Sequence, residues 1–345
     1  NDSSSVGAFE SLKLTTSKKI SARIETYPSM AIIRLDPVRP WLIFPKPKEI
    51  FVTVGGLTPN TTYYLYQEKL KDPTIEKADP QGNIIMTLAT PRHRYLIIKT
   101  KPSTYHIDDD STGGDCPKIG TWDNASNTCT LSPTLPITQT IAIDDGNITL
   151  DGNNRLVDHT DNFGVYINES ILEPAISNIT IRNLRLVHQT EGIALIDIDA
   201  ITLDNVRVEL TDKGIRIDDT HNVLIKNTVL NGNITSLGIE NSYDVTVHHS
   251  TIGGGGTGIA LANTSTTKFY NDSFAFLNTW AQDLGGGNAS FDSGNATPGG
   301  NWWDNQIDAN TARRTDNTSV FNITFNIPLS SYADRYPYAC DKGWQ

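Results

Sequence analysis

The phrases Asn178-Ile-Thr-Ile, Ala200-Ile-Thr-Leu, Asn222-Val-Leu-Ile and Asp244-Val-Thr-Val begin 22 residues apart, and Thr266-Thr-Lys-Phe and Asn288-Ala-Ser-Phe continue the series at the same interval. A fixed period between about 20 and 50 residues is typical of solenoids, because one repeat cannot bury its own apolar face whereas stacked repeats can. The sequence therefore predicts a stack of coils, six or seven deep and roughly 30 Å long at the usual strand spacing.

Each repeat divides into three short strands with apolar residues at alternate positions, and the residues between them are expected to point outward. The first strand has the inward columns Ile179, Ile201, Val223, Val245 and Ile181, Leu203, Ile225, Val247, Phe269. The second strand carries Leu184, Leu186, Val206, Val208, Leu230, Ile252 and Phe274, and the third begins with Gly192, Gly214, Gly238 or Gly258. This pattern predicts an all-β fold built from three-sided coils. A leucine-rich repeat is excluded because the L-x-x-L-x-L pattern is missing.

One turn column follows the first strand and consists of Asn183, Asn205, Asn227, His249 and Asn271. Asn tolerates a left-handed backbone, and its amide can bond to the next copy, so these positions predict a stacked Asn ladder. His249 fills one ladder position. The adjacent His248 and His249 are expected on opposite faces of a strand, which speaks against a metal site.

Several of these features resemble a known group of proteins. They are the coils themselves, the segment Gly113-Gly-Asp-Cys-Pro-Lys-Ile-Gly-Thr-Trp-Asp, the segment Gly146-Asn-Ile-Thr-Leu-Asp-Gly-Asn and the closing segment Gly299-Gly-Asn-Trp-Trp-Asp. They resemble the right-handed parallel β-helices of the pectate-lyase-like superfamily, especially its NosD-like group for carbohydrate binding and sugar hydrolysis. The resemblance covers residues 100 to 305 and implies the fold. It does not imply one activity, since the superfamily includes lyases, hydrolases, epimerases, binding proteins and adhesins.

The bulk properties point to a protein outside the cell. The net charge of −11 argues against nucleic acid or an anionic membrane as partner, and against a strongly polyanionic sugar unless arginines or calcium gather locally. No run of eighteen apolar residues is present to span a membrane. A start at Asn1 without Met is expected of a mature chain whose signal peptide has been removed.

The chain is expected to contain four segments. Residues 1–100 lack the 22-residue period, and Gly55-Gly-Leu-Thr-Pro-Asn-Thr-Thr-Tyr-Tyr-Leu-Tyr resembles the strand E to F corner of a fibronectin type III-like β-sandwich, at which a Tyr hydroxyl pins the turn. Residues 101–136 are expected to cap the first coil, and residues 137–300 to form the β-helix, with an insertion from Ile167 to Ser177. Residues 301–345 are rich in aromatic residues and are expected to close the other end.

The cysteines and sequons also indicate an extracellular protein. Cys116 and Cys129 bracket a short polar loop and are expected to form a disulfide, which leaves Cys340 free or bonded to another chain. Thirteen Asn-x-Ser/Thr sequons occur, although Asn and Thr are common in turns. The first is at Asn1, and the glycosylation candidates are Asn60, Asn124, Asn147, Asn168, Asn178, Asn233, Asn263, Asn271, Asn288, Asn295, Asn317 and Asn322.

The outward side of the Gly-led third strand is the predicted functional face. Arg216, Asp218 and Glu240 are the candidate catalytic residues, since two carboxylates beside a cation suit hydrolysis, and an Arg or Ca²⁺ beside a uronate suits lyase or epimerase chemistry. The candidate ligand-binding residues around them are Tyr166, His188, Asp197, Asp199, Asp219 and His221, with Asn168 and Glu191 nearby. Ordinary solvated ion pairs would explain the same pattern.

Other features are weaker signals. Asp144-Asp-Gly-Asn and Asp151-Gly-Asn-Asn have a calcium-like composition, which turn propensity explains equally well. Trp280 replaces a Gly of the third strand and is expected in the core. The sequence thus favours a polysaccharide-binding β-helix, with processing of the glycan left open. The alternative is a cell-surface structural or adhesive protein that uses the coils as a rigid spacer.

Overall fold

The computed structural model describes residues 12–16, 21–26, 30–36, 50–88, 93–135, 137–160, 162–168, 176–275, 277–286, 289–291, 301–303, 325–326 and 333–334. The chain divides into two compact units, Asn1–Ser103 and Thr104–Gln345. Most of the Ile167–Ser177 insertion, most of the aromatic tail and Cys340 lie outside the described residues. No helix in the part of the chain described is long and apolar enough to cross a membrane.

The first unit consists of two antiparallel sheets around one core. Its strands are β1 (Lys13–Thr16), β2 (Ser21–Thr26), β3 (Met30–Asp36), β4 (Ile50–Gly55), β5 (Thr62–Gln67), β6 (Thr74–Lys77), β7 (Ile84–Leu88) and β8 (His93–Ile98). One sheet has the order β1-β4-β7 and the other the order β2-β3-β8-β5-β6. Val52 and Val54 of the smaller sheet share a buried cluster with Ile33 and Ile97 of the larger one, so the two inner faces bury each other.

The turn before β5 is held by a tyrosine. The hydroxyl of the fully buried Tyr63 accepts a hydrogen bond from the N–H of Thr58 at 3.0 Å. The Gly55–Tyr66 segment predicts a tyrosine hydroxyl at this turn, and the structure shows that Tyr63, not Tyr64 or Tyr66, makes the contact. The relation to fibronectin type III domains stays a prediction.

The second unit begins with a short disulfide-linked region. It contains β9 (Thr104–Ile107), the one-turn helix α1 (Cys116–Ile119), β10 (Gly120–Asp123) and β11 (Thr128–Leu131), of which β10 and β11 form a hairpin. The predicted Cys116–Cys129 disulfide is confirmed, with the Cα atoms 5.8 Å apart. Parallel pairing starts within this region, because β9 and β11 already pair with strands of the next coil.

The coils form a parallel β-helix. Their strands are β12 (Thr140–Ile143), β13 (Thr149–Asp158), β14 (Phe163–Asn168), β15 (Ser177–Val187), β16 (Glu191–Ile196), β17 (Asp199–Asp204), β18 (Arg207–Asp218), β19 (His221–Lys226), β20 (Val229–Glu240), β21 (Tyr243–His248), β22 (Thr251–Gly253), β23 (Thr257–Ala262), β24 (Thr267–Tyr270), β25 (Ser273–Ala275), β26 (Thr279–Asp283), β27 (Ala289–Ser290) and β28 (Trp302–Trp303). A separate antiparallel pair joins β29 (Phe325–Asn326) and β30 (Ala333–Asp334).

The predicted register is confirmed. Ile179, Ile201, Val223 and Val245 are successive partners in the first-strand column and are buried. The second-strand column Leu186, Val208, Leu230, Ile252 and Phe274 is likewise continuous. The apolar side chains of all three columns belong to a single core cluster, so each coil buries its apolar residues against its neighbours, as the period requires.

Two local expectations about the strands were wrong. The second and third strands of a coil are not always separate. β18 is one continuous strand that includes both, and so is β20, with shifts in register around Thr211. Gly238 does not lead the third strand of its coil, since it pairs with Arg216 in an outward column. Ser236, two residues earlier in the chain, is the residue that lies beside Gly214. The Gly-Ile pair by which this coil was aligned is therefore two residues away from the column, whose spacing stays at 22 residues.

The turn after the first strand is left-handed, as predicted, with φ values of 53° to 57° at Asn183, Asn205, Asn227, His249 and Asn271. The side-chain ladder is only partly formed. Asn205 donates to Asn183 at 2.9 Å, whereas Asn227 donates to Asp204 at 2.8 Å. Asp204 ends the first strand of the previous coil, and its carboxylate is a stronger acceptor than an amide oxygen.

The far end of the solenoid is filled by large side chains. Trp280 is 7% exposed and belongs to the core, as predicted. Asn301, which is fully buried, donates to the backbone carbonyls of Phe269 and Phe291 at 3.1 and 2.6 Å. The following strand β28 pairs with β25 and continues the second-strand column. Asn301 thus satisfies backbone groups at the last described coil.

Candidate functional site

The outward columns of the third strand hold the residues predicted to be catalytic. Arg216 and Asp218 lie on β18, and Glu240 on β20 is the register partner of Asp218. Tyr166 and Asn168 of β14 occupy the same two columns two coils earlier. The alternation of the strand therefore brings these side chains to one side of one sheet.

This side of the sheet is not an open face. Tyr166, Arg216 and Asp218 are 1%, 6% and 3% exposed. Arg216 donates through Nε to Oε2 of Glu191 at 3.1 Å, and Nζ of Lys213 lies 3.7 Å from Oε1 of the same carboxylate, whose side chain is fully buried. A buried carboxylate between two cations is a network in which the charges compensate each other.

The remaining predicted residues lie at two turns. Asp197 and Asp219 are left-handed residues after the third strand, with φ values of 53° and 51°. Asp199 and His221 follow them as register partners at the start of the first strand, and Asp199 accepts a hydrogen bond from Asn222 at 2.6 Å. These four are contiguous in sequence with the ends of the third strands, as expected.

His188 lies elsewhere in the coil, at the turn after the second strand. Its Nδ1 is 2.8 Å from Oδ1 of Asp158, and both side chains are about half exposed. The structure therefore separates His188 from the Asp197 and Asp219 turns, which lie after the third strand.

A depression of about 390 Å³ lies beside this second-strand turn in the following coils. It is lined by Arg185, Glu209, Leu210, Asn231, Asn233 and Gly254. Sequence reasoning missed it. The signal available was the 22-residue spacing of Arg185 and Arg207, which the structure places in register on adjacent strands.

A shared carboxylate organises the two arginines. Arg207 donates to Glu209 through Nε and Nη2 at 2.6 and 2.9 Å, and Arg185 donates to it through Nε at 3.1 Å. The hydrogen bond from Arg207 lowers the pKa of Glu209, and the same bond raises the pKa of Arg207. Two cations around one anion leave one net positive charge. The side chains of Arg185 and Arg207 are about half exposed, whereas the Glu209 side chain is 14% exposed.

The outward side of the first strand carries two stacked ring pairs. His221 stacks on Tyr243 with ring centroids 3.6 Å apart, and His248 stacks on Tyr270 at 5.3 Å. Both pairs are 22 residues apart in sequence, which is the signal that would have found them. Burial lowers the pKa of His248 and raises the pKa of Tyr270.

The expectation that His248 and His249 face opposite sides was wrong. Their Nδ1 atoms lie 2.6 Å apart, because His249 adopts the left-handed turn conformation and not an extended one. Burial lowers the pKa of His249 as well. Within the described residues, no group of three or more His, Cys, Asp or Glu side chains is arranged to hold a metal ion.

The two calcium-like segments use their carboxylates within the fold. Asp144 lies 2.8 Å from Nδ1 of His106. Asp151 accepts hydrogen bonds from the backbone of Asn153 and from the side chains of Arg182 and Asn183. These contacts stabilise the turns and the ladder, in line with the interpretation by turn propensity.

Comparison with known proteins supports the fold. A family model described as a right handed beta helix region matches residues 127–274, in agreement with the predicted right-handed parallel β-helix. No curated protein matches the chain. One similar solved structure is the catalytic domain of a GH87 alpha-1,3-glucanase in complex with nigerose, with a TM-score of 0.30, 11% identity, and coverage of 96% of this chain and 80% of that chain. A variant of that domain in complex with tetrasaccharides has a TM-score of 0.23 and 10% identity over the same shares.

Proposed function

We propose that this protein is an extracellular polysaccharide-binding protein whose β-helix unit holds the glycan in the depression beside the second-strand turns. The observation that carries the proposal is the lining of this concavity by Arg185, Glu209, Asn231 and Asn233, with Leu210 among them. Its volume falls within the range of small-molecule sites. A concave site of this kind suits one sugar unit of a longer chain.

The lining groups match the surface of a sugar. Hydroxyl groups need both donors and acceptors, which the two Asn amides and the Glu209 carboxylate supply. Leu210 is 58% exposed and offers an apolar contact for C–H groups. Neither Nη atom of Arg185 has a hydrogen-bond partner within the described part of the chain. These donors are free for a ligand oxygen, including the carboxylate of an acidic sugar.

The placement outside the cell is supported by the covalent chemistry of the chain. The Cys116–Cys129 disulfide is typical of oxidising compartments. Two of the thirteen sequons, at Asn1 and Asn60, lie in the first unit, and the other eleven lie in the second. A glycan of another cell surface or of the surrounding matrix is the partner that such a location offers.

Processing of the bound glycan is the second candidate function. It is favoured by the register pairing of Asp218 and Glu240, which puts two carboxylates on adjacent strands beside Arg216. The burial of Arg216 and Asp218 favours binding without turnover. The third candidate function, a rigid spacer, is supported by the continuous strand columns, which require no ligand.

The test is a binding and activity screen of the full chain. Neutral polysaccharides and polygalacturonate are offered with and without Ca²⁺, and binding, unsaturated products and new reducing ends are followed together. We expect Arg185→Ala to weaken binding by at least about tenfold, the value of a hydrogen bond to a charged group. The matched control is Arg182→Ala, which removes a half-exposed arginine paired with Asp151, and it should bind like the parent.

The outcomes separate the candidate functions. Products that disappear in Asp218→Asn and Arg216→Ala would establish processing on the third strand. Equal binding by Arg185→Ala and the parent would exclude the depression as the site. Absence of binding to every polysaccharide would leave the spacer as the better account.

A further inference from the structure

The start of the first strand forms an outward ladder that runs through five coils. Ser177, Asp199, His221, Tyr243 and Ser265 are successive register partners. Two rings occupy the middle of this ladder. His221 and Tyr243 are nearly parallel, at an interplanar angle of 19°.

The ladder contains a step. One face of the Tyr243 ring is covered by His221, but the next position is Ser265, whose side chain is too short to cover the other face. Tyr243 is 43% exposed and makes no second ring contact within the described residues. The adjacent coil thus leaves open a ring-sized position above Ser265.

The other stacked pair does not offer the same argument. The residue that follows Tyr270 in its column lies outside the described residues, and the pair is further apart, at 5.3 Å. For Tyr243, both neighbouring positions of the ladder, His221 and Ser265, are described. It also lies on the first strand, whereas the depression lies beside the second-strand turn.

We infer that this step is a second glycan-binding site, at which a pyranose ring stacks on the free face of Tyr243 and occupies the next position of the ladder. The inference rests on the proposed function and adds the ligand class, a neutral sugar ring with a continuous C–H face. A tyrosine ring offers a large apolar area at low entropic cost. The exposed Ser265 and Asp244 supply a hydroxyl and a carboxylate at the edge of the step.

Cellohexaose is the probe, because its β-linked glucose rings carry their hydroxyl groups around the rim and C–H groups on the faces. Sorbitol has the same kind of hydroxyls without a ring and serves as the ligand control. We expect the full chain to bind cellohexaose and not sorbitol. Tyr243→Ala should weaken binding by about tenfold, whereas Tyr243→Phe, which keeps the ring, should stay within about twofold.

A second variant blocks the site without removing Tyr243. Ser265→Phe extends the ladder by one ring and covers the free face, so it should abolish cellohexaose binding and leave the fold intact. Saturation-transfer NMR on the parent should show transfer from aromatic protons to sugar C–H protons. An unchanged affinity in both Tyr243→Ala and Ser265→Phe would overturn the inference.

The two proposals fail in different ways. If cellohexaose does not bind but another polysaccharide binds in an Arg185-dependent manner, the stacking site is wrong and the proposed function stands. If no polysaccharide binds at all, both are wrong. If Tyr243→Ala loses cellohexaose while Arg185→Ala keeps it, and another polysaccharide binds in an Arg185-dependent manner, two independent sites are established.

Discussion

At the scale of single residues, the same side chain has very different surroundings in different coils. Asn168 and Asn271 are each 2% exposed. Asn178 and Asn263 use their amide nitrogens in ladder bonds to Asn147 and Asn241. A sequon therefore says little about access, since the turn decides whether the amide is available.

The sequons give a prediction at this scale. Expressed in a host that attaches N-glycans, the chain should be modified at Asn60 and Asn124, which are exposed, and not at Asn168 or Asn271. The reason is that a glycan on a buried amide would have to open the packed turn. Site-resolved mass spectrometry measures the occupancy. Full occupancy at Asn168 would contradict the described environment, in which its amide donates to the Tyr166 hydroxyl at 2.9 Å.

The charged residues in and beside the depression show what residue identity alone cannot convey. Arg185, Arg207 and Glu209 look like ordinary surface charges in the sequence. In the structure one carboxylate orients both guanidinium groups, and a concavity opens beside them. The functional interpretation arises from this arrangement and not from the charge count.

At the scale of elements, glycines of the third strand have two different roles. A Cβ at Gly214 would lie 2.3 Å from the backbone oxygen of Ser236, whereas a Cβ at Gly238 would meet nothing within 4 Å. The close approach of the backbones of adjacent coils therefore requires glycine at position 214 and not at position 238.

This contrast predicts opposite results for a matched pair of variants. Gly214→Ala should lower the free energy of unfolding of the β-helix unit by about 1–3 kcal/mol, as overpacking does. Gly238→Ala should be neutral or slightly stabilising, because it restricts the unfolded chain without a clash. Urea unfolding followed by tryptophan fluorescence reports on this unit, since five of the six Trp residues follow residue 104. Equal stability of both variants would refute the packing argument.

At the scale of the whole molecule, each coil of the second unit is stabilised by its neighbours. At its outer side the first coil pairs with β9 and β11 instead of with another full coil, and the hairpin of β10 and β11 with its disulfide lies at that end. Cys116 and Cys129 are both fully buried within the solenoid core cluster. The bridge therefore links α1 and the hairpin within the same core that the coils share.

Reduction of this disulfide should destabilise the second unit. Removing a bridge with a sequence separation of 13 should cost about 3 kcal/mol through the entropy of the unfolded chain. The measurement is urea unfolding with and without a reductant, and Cys340→Ser serves as the control for the third thiol. No change in the unfolding midpoint on reduction would show that the hairpin is held by packing alone.

The sequence by itself determined the coil period, the inward columns, the left-handed Asn turns, the disulfide and the buried position of Trp280. These features follow from local and strictly periodic constraints, because a 22-residue register repeats the same environment in every coil. A tyrosine-held turn within residues 55–66 was readable for a similar reason, since the bond from Thr58 to Tyr63 spans five residues, whereas the choice of Tyr63 among three tyrosines came from the structure.

Only the tertiary structure decided which outward residues are accessible. Arg216 and Asp218 point away from the core and are nevertheless buried, while Arg185 and Tyr243 received no role from the sequence and line the surfaces proposed to bind glycans. The sequence period fixes whether a side chain points inward or outward. It does not fix what covers the outward side, because that depends on segments that do not repeat and on the size of the neighbour in the next coil. Ser265 beside Tyr243 is the example, since one small residue in a ladder turns a packed ring into an exposed one.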